Sequence, residues 1–474
     1  MHAKFFTHEE LAQMEQEDSL CLLQAAQMQI SQLQARSVQI KELRARVAEL
    51  EKLLAEAQRE GKRQAAPFRV PEAKRSLNPK RPGRPLGHPG AYRPRPTEID
   101  QEITVPLELC ACPECGGQHW SEPRALEQFI EELPVTRPHV TRLRTYEATC
   151  SGCGHRVASR HPLQVSQATG AAGTHLGARA LALAADLSKG KHLTLRKTCA
   201  VLHDHFGLHL TPGGLTGALA RVAERLAPQY EQLHKELCQA PVVHVDETSW
   251  WVAGESAWLW VFTHPQGTFY FIAQSRGREV LEAVLGFVLQ GLLVSDCLSV
   301  YDLLSGPQHK CYSHYLETIR KALEAATPAC AEPQAFLPQA KALLQRAIAL
   351  GKTRGLDSFA PAAYAQEREK LNAEADALFA LGHAEGPEEI VYNRLTKQRD
   401  HLFTFLDHPG VEPTNNLAER QLRPAVIARK LSCGNKTWAG TRTFQILASL
   451  AATCAQTAAS FIDCVATAVP LNSS

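Results

Sequence analysis

The sequence predicts a mixed α/β core built on one sheet, and three features of residues 240–301 support this. Stretches rich in β-branched and aromatic residues are typical of strands, and three follow one another: Pro241 to Thr248, Trp258 to Thr263 and Thr268 to Ala273. The short turns between them predict an antiparallel meander. The apolar pattern then changes to helical spacing over 277–286 and to a buried strand over 291–296. A meander, a crossover helix and a fourth strand beside the first are typical of the RNase H-like fold.

Two aspartates occupy related places in this predicted sheet. Asp246 lies on the first strand and Asp296 ends the fourth, so their carboxylates are expected close together on adjacent strands. Such carboxylates repel one another unless a cation lies between them, and oxygen ligands suit magnesium or manganese. A pair of these metals can activate a water or a 3′-hydroxyl and stabilise the leaving oxygen of a phosphodiester.

A third carboxylate would complete this cage of metal ligands, and Glu419 is the best candidate. Thr414 or Asn415 can cap a helix that places Glu419 in its early turns. We therefore expect a catalytic metal centre formed by one carboxylate from each of three separate elements.

Other nearby groups fit this centre less well. Glu247 follows the first aspartate on its strand, and successive strand residues point to opposite faces. Asp302 is predicted in a following helix or turn, and Glu412 precedes the helix that carries the third carboxylate. Cys311 and His314 have the spacing of metal ligands, but without a second such pair a packed thiol and a hydrogen-bonded imidazole are favoured.

Five motifs in and after the predicted sheet are specific as a set. They are His244-Val-Asp-Glu-Thr, Trp258-Leu-Trp-Val-Phe, Val294-Ser-Asp-Cys-Leu-Ser-Val-Tyr, Cys311-Tyr-Ser-His and Thr414-Asn-Asn-Leu-Ala-Glu-Arg. Together they resemble the transposases of the insertion sequence 66 family, within the class that uses an Asp-Asp-Glu triad. The order of the preceding regions fits the same family. This resemblance implies a DNA transposase whose catalytic, metal-binding triad is Asp246, Asp296 and Glu419.

The length indicates about two to four domains, and the predicted elements together give a multidomain protein of combined α+β and α/β class. The 474 residues carry a net charge of +2, with eleven Lys and Arg against two Glu between Arg59 and Arg95. Fourteen Cys without a secretory segment ahead of them indicate a reducing cytoplasm, where a bacterial DNA-binding protein would associate with the nucleoid. The apolar stretch from Ile446 to Val469 is interrupted by polar residues, so it predicts packed helices and no membrane span.

Residues 1–57 are predicted to form a coiled-coil arm. Apolar side chains follow a heptad pattern at Leu33, Ile40, Leu43, Val47, Leu50 and Leu54. Arg36 occupies one expected core position and weakens the seam. A lone amphipathic helix is the alternative, but a segment rich in Gln, Glu and Arg has few other ways to bury this stripe. We therefore expect a homodimer or a higher oligomer.

Residues 58–100 are predicted to be a basic linker rich in Pro and Gly, which cannot bury enough apolar surface to order alone. Lys80, Arg81 and Arg84 are its candidate DNA contacts. Gly83-Arg84-Pro85 resembles the core of a minor-groove hook. Non-specific phosphate contact is favoured over hook binding, and a solvated linker is the alternative.

Residues 101–160 are predicted to bind one structural zinc through two Cys-x-x-Cys knuckles, formed by Cys112, Cys115, Cys150 and Cys153. Cys110 is a less well spaced substitute. A closed site of four thiolates leaves no open position for chemistry, so this zinc would stabilise a small β-rich module. Four residues between the knuckles are expected to alternate along a strand, facing either phosphate or solvent: Arg137, His139, Arg142 and Arg144.

Residues 161–235 are predicted to form a helical, helix-turn-helix-like region that binds DNA. Leu195 begins one helix, a Gly-containing turn follows, and Thr211-Pro212 begins the second helix. Arg221 is the main side chain suited to base edges, so sequence-specific readout is less strongly predicted than the geometry.

Residues 236–440 form the predicted catalytic domain, with a helical insertion at about 320–405, and residues 441–474 form a C-terminal helical segment. Four basic residues after the third carboxylate approach helical spacing: Arg420, Arg423, Arg429 and Lys430. They are expected to contact the DNA backbone, and a solvated basic helix face is the alternative.

These features predict a DNA transposase that binds transposon ends and target DNA and catalyses metal-dependent cleavage and strand transfer. Companion proteins of the same element are further candidate partners. One alternative is an RNase H-like nuclease that cuts without joining. Another is a non-catalytic, zinc-containing DNA-binding protein derived from a transposase. Metal-dependent end cleavage separates the last from the other two, and product joining separates the transposase from the nuclease.

Overall fold

A computed structural model describes residues 26–34, 40, 46, 93–106, 111–112, 114–122, 124–170, 173–325, 330, 332–380, 382 and 386–470. The chain divides into two compact units, residues 1–131 and 132–474. In the first unit, residues 26–34, 40 and 46 are helical, and the residues described from 93 onward form turns and irregular chain. Leu33 and Ile40 are exposed. The other predicted heptad residues, the linker residues Lys80, Arg81 and Arg84, and Cys110 lie outside the described residues.

The second unit contains all the strands of the described chain. They are β1 (Glu147–Thr149), β2 (Arg156–Ala158), β3 (Val242–Val252), β4 (Glu255–His264), β5 (Gly267–Ala273), β6 (Leu292–Ser295) and β7 (Gln308–Lys310). β1 and β2 form a two-stranded antiparallel sheet, and the other five form one sheet in the order β5-β4-β3-β6-β7.

Twelve α-helices are described in the same unit. They are α1 (Ala178–Ala185), α2 (Leu195–Phe206), α3 (Pro212–Gln239), α4 (Arg278–Leu285), α5 (Tyr312–Ala325), α6 (Phe336–Thr353), α7 (Pro361–Ala380), α8 (Pro387–Lys397), α9 (Thr404–Asp407), α10 (Asn416–Ser432), α11 (Trp438–Gln456) and α12 (Phe461–Ala468). A π-helical turn follows α1 at Asp186–Gly190, and 3-10 turns occupy Tyr301–Leu303 and Arg399–His401. None of the described helices is long and apolar enough to cross a membrane.

The five-stranded sheet has the arrangement that the sequence predicts, with one strand more. β3, β4 and β5 are antiparallel, and α4 crosses over to β6, which runs parallel to β3. The added strand, β7, lies parallel to β6 at the edge. The register aligns Val242 with Leu292 and His244 with Val294, so β3 and β6 run side by side in the same direction.

The two faces of the sheet bury different helices because side chains alternate along each strand. Val245, Trp260 and Phe262 point to the face packed on α3 and α4. Trp250 and Val261 point to the opposite face, where α10 and one side of α11 cover them. Each of these large side chains is almost fully buried, and such burial stabilises the fold by about 1.5 to 3 kcal/mol per residue.

The segment predicted as a helical insertion is helical in each of its described elements. Helices α5 to α9 build a separate core, with buried residues that include Tyr312, Ile319, Leu337, Leu344, Leu371 and Phe405. Leu292 and Val294 of β6 join this core, so the insertion packs directly on the strand that precedes Asp296.

Helices α2 and α3 have the ends predicted for the helix-turn-helix-like region. Thr194 and Thr211 cap the two helices, each accepting a hydrogen bond from a backbone N–H of the first turn. Gly207 ends α2 with a φ of 63°, a left-handed conformation that glycine adopts at low cost. These helices also contribute to the main core, since Leu202, Leu215 and residues along α3 are buried there.

The strand predicted for residues 137–144 is wrong. Arg137, His139, Arg142 and Arg144 lie in irregular chain, and the strands described between 132 and 160 are β1 and β2. Pro134 and Pro138 lack backbone N–H donors, which disfavours ladder pairing. Alternation of polar and apolar residues therefore overstated the strand tendency here.

Candidate active site

Asp246 lies within β3, and Asp296 directly follows the end of the neighbouring parallel strand β6. Asp246 is on β3, and it pairs with Val261 of β4, whose side chain lies beneath α10. His244 pairs with Val294 of β6, and extending this register by two residues sets Asp296 opposite Asp246. Since side chains alternate along strands, both carboxylates belong to the face on which α10 packs.

The electrostatics of Asp246 show that other carboxylates are close. Burial raises the pKa of Asp246 to about 7, and the negative charges of Glu247, Asp296 and Glu419 act in the same direction. The backbone N–H of Glu247 donates to Asp246 Oδ1 at 2.9 Å and partly offsets this rise. Asp296 Oδ1 accepts a hydrogen bond of 2.9 Å from the backbone N–H of Leu298. The charges of Asp296 and Glu419 thus reach Asp246, although in the described chain the ligand atoms of these three residues do not all lie within 4.8 Å of one another.

Glu419 lies in the first turn of α10, as predicted. Asn415 is the N-cap residue, but its side chain makes no capping hydrogen bond. Its amide instead spans to β3, where Nδ2 donates to Val245 O at 2.7 Å and Oδ1 lies 3.2 Å from His244 Nδ1. The prediction that Asn415 precedes the helix is right, whereas its side chain has a different role.

The amide orientation of Asn415 fixes the protonation of His244. Burial lowers the pKa of His244 to about 4, so the imidazole is neutral. Because Nδ2 of Asn415 faces a carbonyl, its Oδ1 must accept, and Nδ1 of His244 carries the proton. Asn415 is fully buried, and its contacts hold the start of α10 against β3 within two residues of Asp246.

Cys311 and His314 lie beside Glu419. The backbone N–H of Asn415 donates to Cys311 Sγ at 3.1 Å. Burial acts to raise the pKa of Cys311, but His314 and the Asn415 N–H lower it below its usual value. The pKa of His314 is raised to about 9, chiefly by the Cys311 thiol and with smaller contributions from Asp296 and Glu419. The sequence alone favoured a packed Cys311 thiol and a hydrogen-bonded His314 imidazole. No sequence pattern indicated that both residues lie next to Glu419.

The rival carboxylates have other partners or positions. Glu247 is buried on the opposite face of β3, where Arg276 Nη2 donates to it at 2.6 Å and the Tyr301 hydroxyl also donates. Asp302 forms ion pairs of 2.9 Å with Lys310 and with Lys397. Glu412 is exposed and precedes α10.

A buried lysine that no sequence pattern indicates supports the end of β6. Lys310 of β7 is fully buried, and its Nζ contacts Asp302 Oδ1 at 2.9 Å, Gln308 Oε1 at 3.0 Å and Ser295 Oγ at 3.3 Å. Ser295 immediately precedes Asp296. Burial lowers the pKa of Lys310, although its bonds to Asp302 act to raise it. The ammonium group therefore compensates Asp302 and braces the strand that presents Asp296.

The basic residues of α10 fall into two groups. Arg420, Arg423 and Lys430 are exposed. Arg429 is partly buried, and its Nη1 donates to Thr248 Oγ1 at 2.9 Å and to Ser249 Oγ at 2.7 Å. Arg429 therefore ties the helix to β3, while the other three present their charges to solvent.

The two cysteine knuckles have the same local geometry. In the first, Cys112 N–H donates to Gly117 O and Gly116 N–H donates to Cys112 O. Cys150 makes the equivalent bonds with His155 and Gly154. Backbone N–H groups, chiefly those of Cys115 and Cys153 respectively, lower the pKa of Cys112 and of Cys150. In each knuckle one cysteine therefore loses its proton more readily to give the thiolate, the form that binds metal.

More than half of this chain matches the model of one known protein family. The model of the Transposase IS66 family matches residues 173–443, more than half of the 474 residues. The matched range includes Asp246, Asp296 and Glu419. No match was found among curated proteins. The resemblance inferred from the five motifs is confirmed, and the chain belongs to the Transposase IS66 family.

Proposed function

We propose that the chain is a DNA transposase that binds transposon ends and catalyses cleavage and strand transfer in an RNase H-like core. The observation that carries this proposal is the parallel pairing of β3 and β6, whose register, continued past the end of β6, would bring Asp296 beside Asp246; Glu419 lies in the first turn of α10. The sheet order of β5-β4-β3-β6-β7, with a meander followed by parallel strands, supports the RNase H-like assignment.

The three carboxylates supply the oxygen ligands that a divalent metal centre needs. The raised pKa of Asp246 reflects, after burial, repulsion from neighbouring negative charges, which a bound cation would relieve. Asp246, Asp296 and Glu419 would hold magnesium or manganese, since both prefer oxygen ligands. When bound, these metals would activate the attacking oxygen and stabilise the leaving oxygen of the phosphodiester.

Other residues of the chain would position the carboxylates and the DNA. Asn415 fixes the start of α10, and therefore Glu419, relative to β3. Lys310 braces the end of β6 beside Asp296. Arg420, Arg423 and Lys430 are exposed on the helix that carries Glu419 and would bind backbone phosphates of DNA next to the carboxylates.

Substitution of the triad tests this function. Asp246→Asn, Asp296→Asn and Glu419→Gln keep side-chain shape but each removes a negative charge. Cleavage and joining of a labelled end duplex with magnesium or manganese should fall by at least about three orders of magnitude, with DNA binding retained. Gel analysis of cleaved and joined products measures both steps.

Glu412→Gln is the matched control, because Glu412 is an exposed carboxylate outside the proposed cage. Full activity of Glu419→Gln, or loss of activity in Glu412→Gln, would contradict the assignment. Cleavage without joining would favour the nuclease alternative. A parent chain inactive on its own element's ends, with companion proteins supplied, would favour a non-catalytic DNA-binding protein.

The N-terminal regions supply two further parts of the proposal. A structural zinc would bind Cys112, Cys115, Cys150 and Cys153, and metal analysis should find about one zinc per chain at this site, lost on Cys150→Ser. A well-folded, zinc-free chain would contradict this zinc site.

The arm over residues 1–57 would join protomers, and its removal should shift the solution mass toward monomer. An unchanged mass would contradict this role of the arm.

The remaining regions would contribute DNA contacts. The linker 58–100, through Lys80, Arg81 and Arg84, and the helices of 161–235 would bind the ends. Deleting 58–100 should weaken end binding and reduce its salt dependence. Unchanged affinity in a fluorescence titration would remove the linker from the interface.

A further inference from the structure

A second set of metal ligands adjoins the proposed magnesium site. One ligand atom from each of Cys311, His314 and Glu419 lies within 4.8 Å of the other two. Cys311 directly precedes α5, His314 is in the first turn of that helix, and Glu419 is in the first turn of α10. The hydrogen bond from Asn415 N–H to Cys311 Sγ joins the two helix starts.

The chemistry of this ligand set differs from that of the three carboxylates. A thiolate and an imidazole favour zinc, whereas magnesium prefers oxygen alone. Tetrahedral zinc with Zn–S near 2.3 Å and Zn–N near 2.0 Å places its ligand atoms about 3.5 Å apart. Contraction of the cluster by about 1 Å, within reach of side-chain rotation, would therefore form three zinc bonds and leave one open position.

Two features fit a bound cation. Nδ1 of His314 is buried and has no hydrogen-bond partner among the described residues, and an ion bound through this nitrogen would satisfy it. Cys311 is fully buried, whereas His314 and Glu419 are partly exposed, so an ion can enter from the solvent side.

We propose that Cys311, His314 and Glu419 form an inhibitory zinc site that competes with the magnesium site for Glu419. Zinc bound here would displace to solvent the proton that His314 carries at neutral pH. It would also direct the Glu419 carboxylate toward Cys311 and His314 and away from Asp246 and Asp296. The inhibitory consequence rests on the proposed transposase activity, whereas zinc binding at these residues does not.

Cobalt titration without DNA tests the site itself. The full-length chain, purified with its structural zinc, should bind one additional cobalt ion and show a thiolate-to-metal absorption band that added zinc removes. Cys311→Ser should abolish the band, and His314→Gln should weaken binding at least about tenfold. Cys433→Ser is the control for adventitious thiol binding, because Cys433 is exposed, and it should behave as the parent chain.

Further variants separate this site from the carboxylate cage. Glu419→Gln should weaken cobalt binding, while Asp246→Asn, which keeps all three proposed ligands, should retain affinity within about threefold. An unchanged cobalt band in Cys311→Ser, or the absence of that band in the parent chain, would overturn the site. If the buried Cys311→Ser variant fails to fold, His314→Gln and Glu419→Gln decide the question.

Zinc inhibition of end cleavage tests the regulatory part. Zinc should inhibit magnesium-dependent cleavage, added magnesium should reverse the inhibition, and His314→Gln should raise the inhibitory zinc concentration at least about tenfold. Zinc binding without inhibition of an active parent chain would overturn the competition. An inactive parent chain would contradict the proposed transposase function and leave the cobalt result to decide the zinc site.

Discussion

The two faces of β3 use neighbouring carboxylates in opposite ways. Glu247 points into the main core, where the Arg276 guanidinium and the Tyr301 hydroxyl bond to it. Asp246 points to the face under α10, where it meets further carboxylates and its pKa rises to about 7. Glu247 has a cation partner and serves the fold, whereas Asp246 has other carboxylates as neighbours, the arrangement in which we propose a bound metal.

Among the substitutions that test this contrast, the largest loss of stability is expected at Glu247. Glu247→Gln should lower the free energy of unfolding by about 2 to 4 kcal/mol. The substitution removes a buried carboxylate and leaves the Arg276 guanidinium without its charged partner. Arg276 is 41% exposed, which keeps the loss below that of a fully buried pair. Urea denaturation followed by circular dichroism measures the change. Glu412→Gln, at an exposed site, should stay within about 0.5 kcal/mol of the parent.

A second prediction concerns the link between α10 and β3. Asn415→Ala leaves Val245 O and His244 Nδ1 without their partner, so stability should fall by about 1 to 3 kcal/mol. Since the start of α10 would lose its anchor, magnesium affinity should fall as well. The control is Asn416→Ala, at the exposed neighbouring position. Equal magnesium affinity in both variants, measured by calorimetry, would show that Asn415 does not position Glu419.

The third prediction concerns pH and the metal-free chain. Folding raises the pKa of Asp246 from 3.8 to about 7, so the folded state binds more protons than the unfolded state between these values. This group's contribution to stability must therefore decline as pH rises from about 4 to about 7 and then level off. Asp246→Asn removes this term, so the variant should gain about 1 to 3 kcal/mol relative to the parent between pH 4 and pH 8.

Denaturation of both chains in chelator at several pH values measures this difference. The parent's other titrating groups cancel when the two curves are subtracted. A difference that is constant with pH would show that the Asp246 carboxylate is not forced to hold its proton. Magnesium should stabilise the parent at pH 8 more than it stabilises Asp246→Asn, because the parent supplies the additional charge.

The sequence predicted the parts of this site that depend on local periodicity. Alternation along β3 separated Asp246 from Glu247, and the cap pattern placed Glu419 in the first turn of its helix. The contact of Asn415 could not be predicted this way, since its partner Val245 lies 170 residues away in the sequence. The contacts of Lys310 could not be predicted either, since Lys310 lies on the short edge strand β7, which local periodicity does not reveal. Alternation misled at Arg137 to Arg144, where Pro138 removes a donor and none of the described strands pairs with the segment.

The smallest expected effect compares two arginines on the face that carries the site. Arg423 is exposed, so Arg423→Gln should leave stability within about 0.5 kcal/mol of the parent and lower the slope of log affinity against log salt by about one for end DNA. Arg429 bonds to Thr248 and Ser249 of β3, so Arg429→Gln should cost about 1 kcal/mol of stability and change the salt slope less. Fluorescence titrations at several salt concentrations, beside urea denaturation, measure both quantities. If Arg429→Gln lowers the slope as much as Arg423→Gln does while stability is unchanged, then Arg429 leaves β3 to bind phosphate when DNA is present.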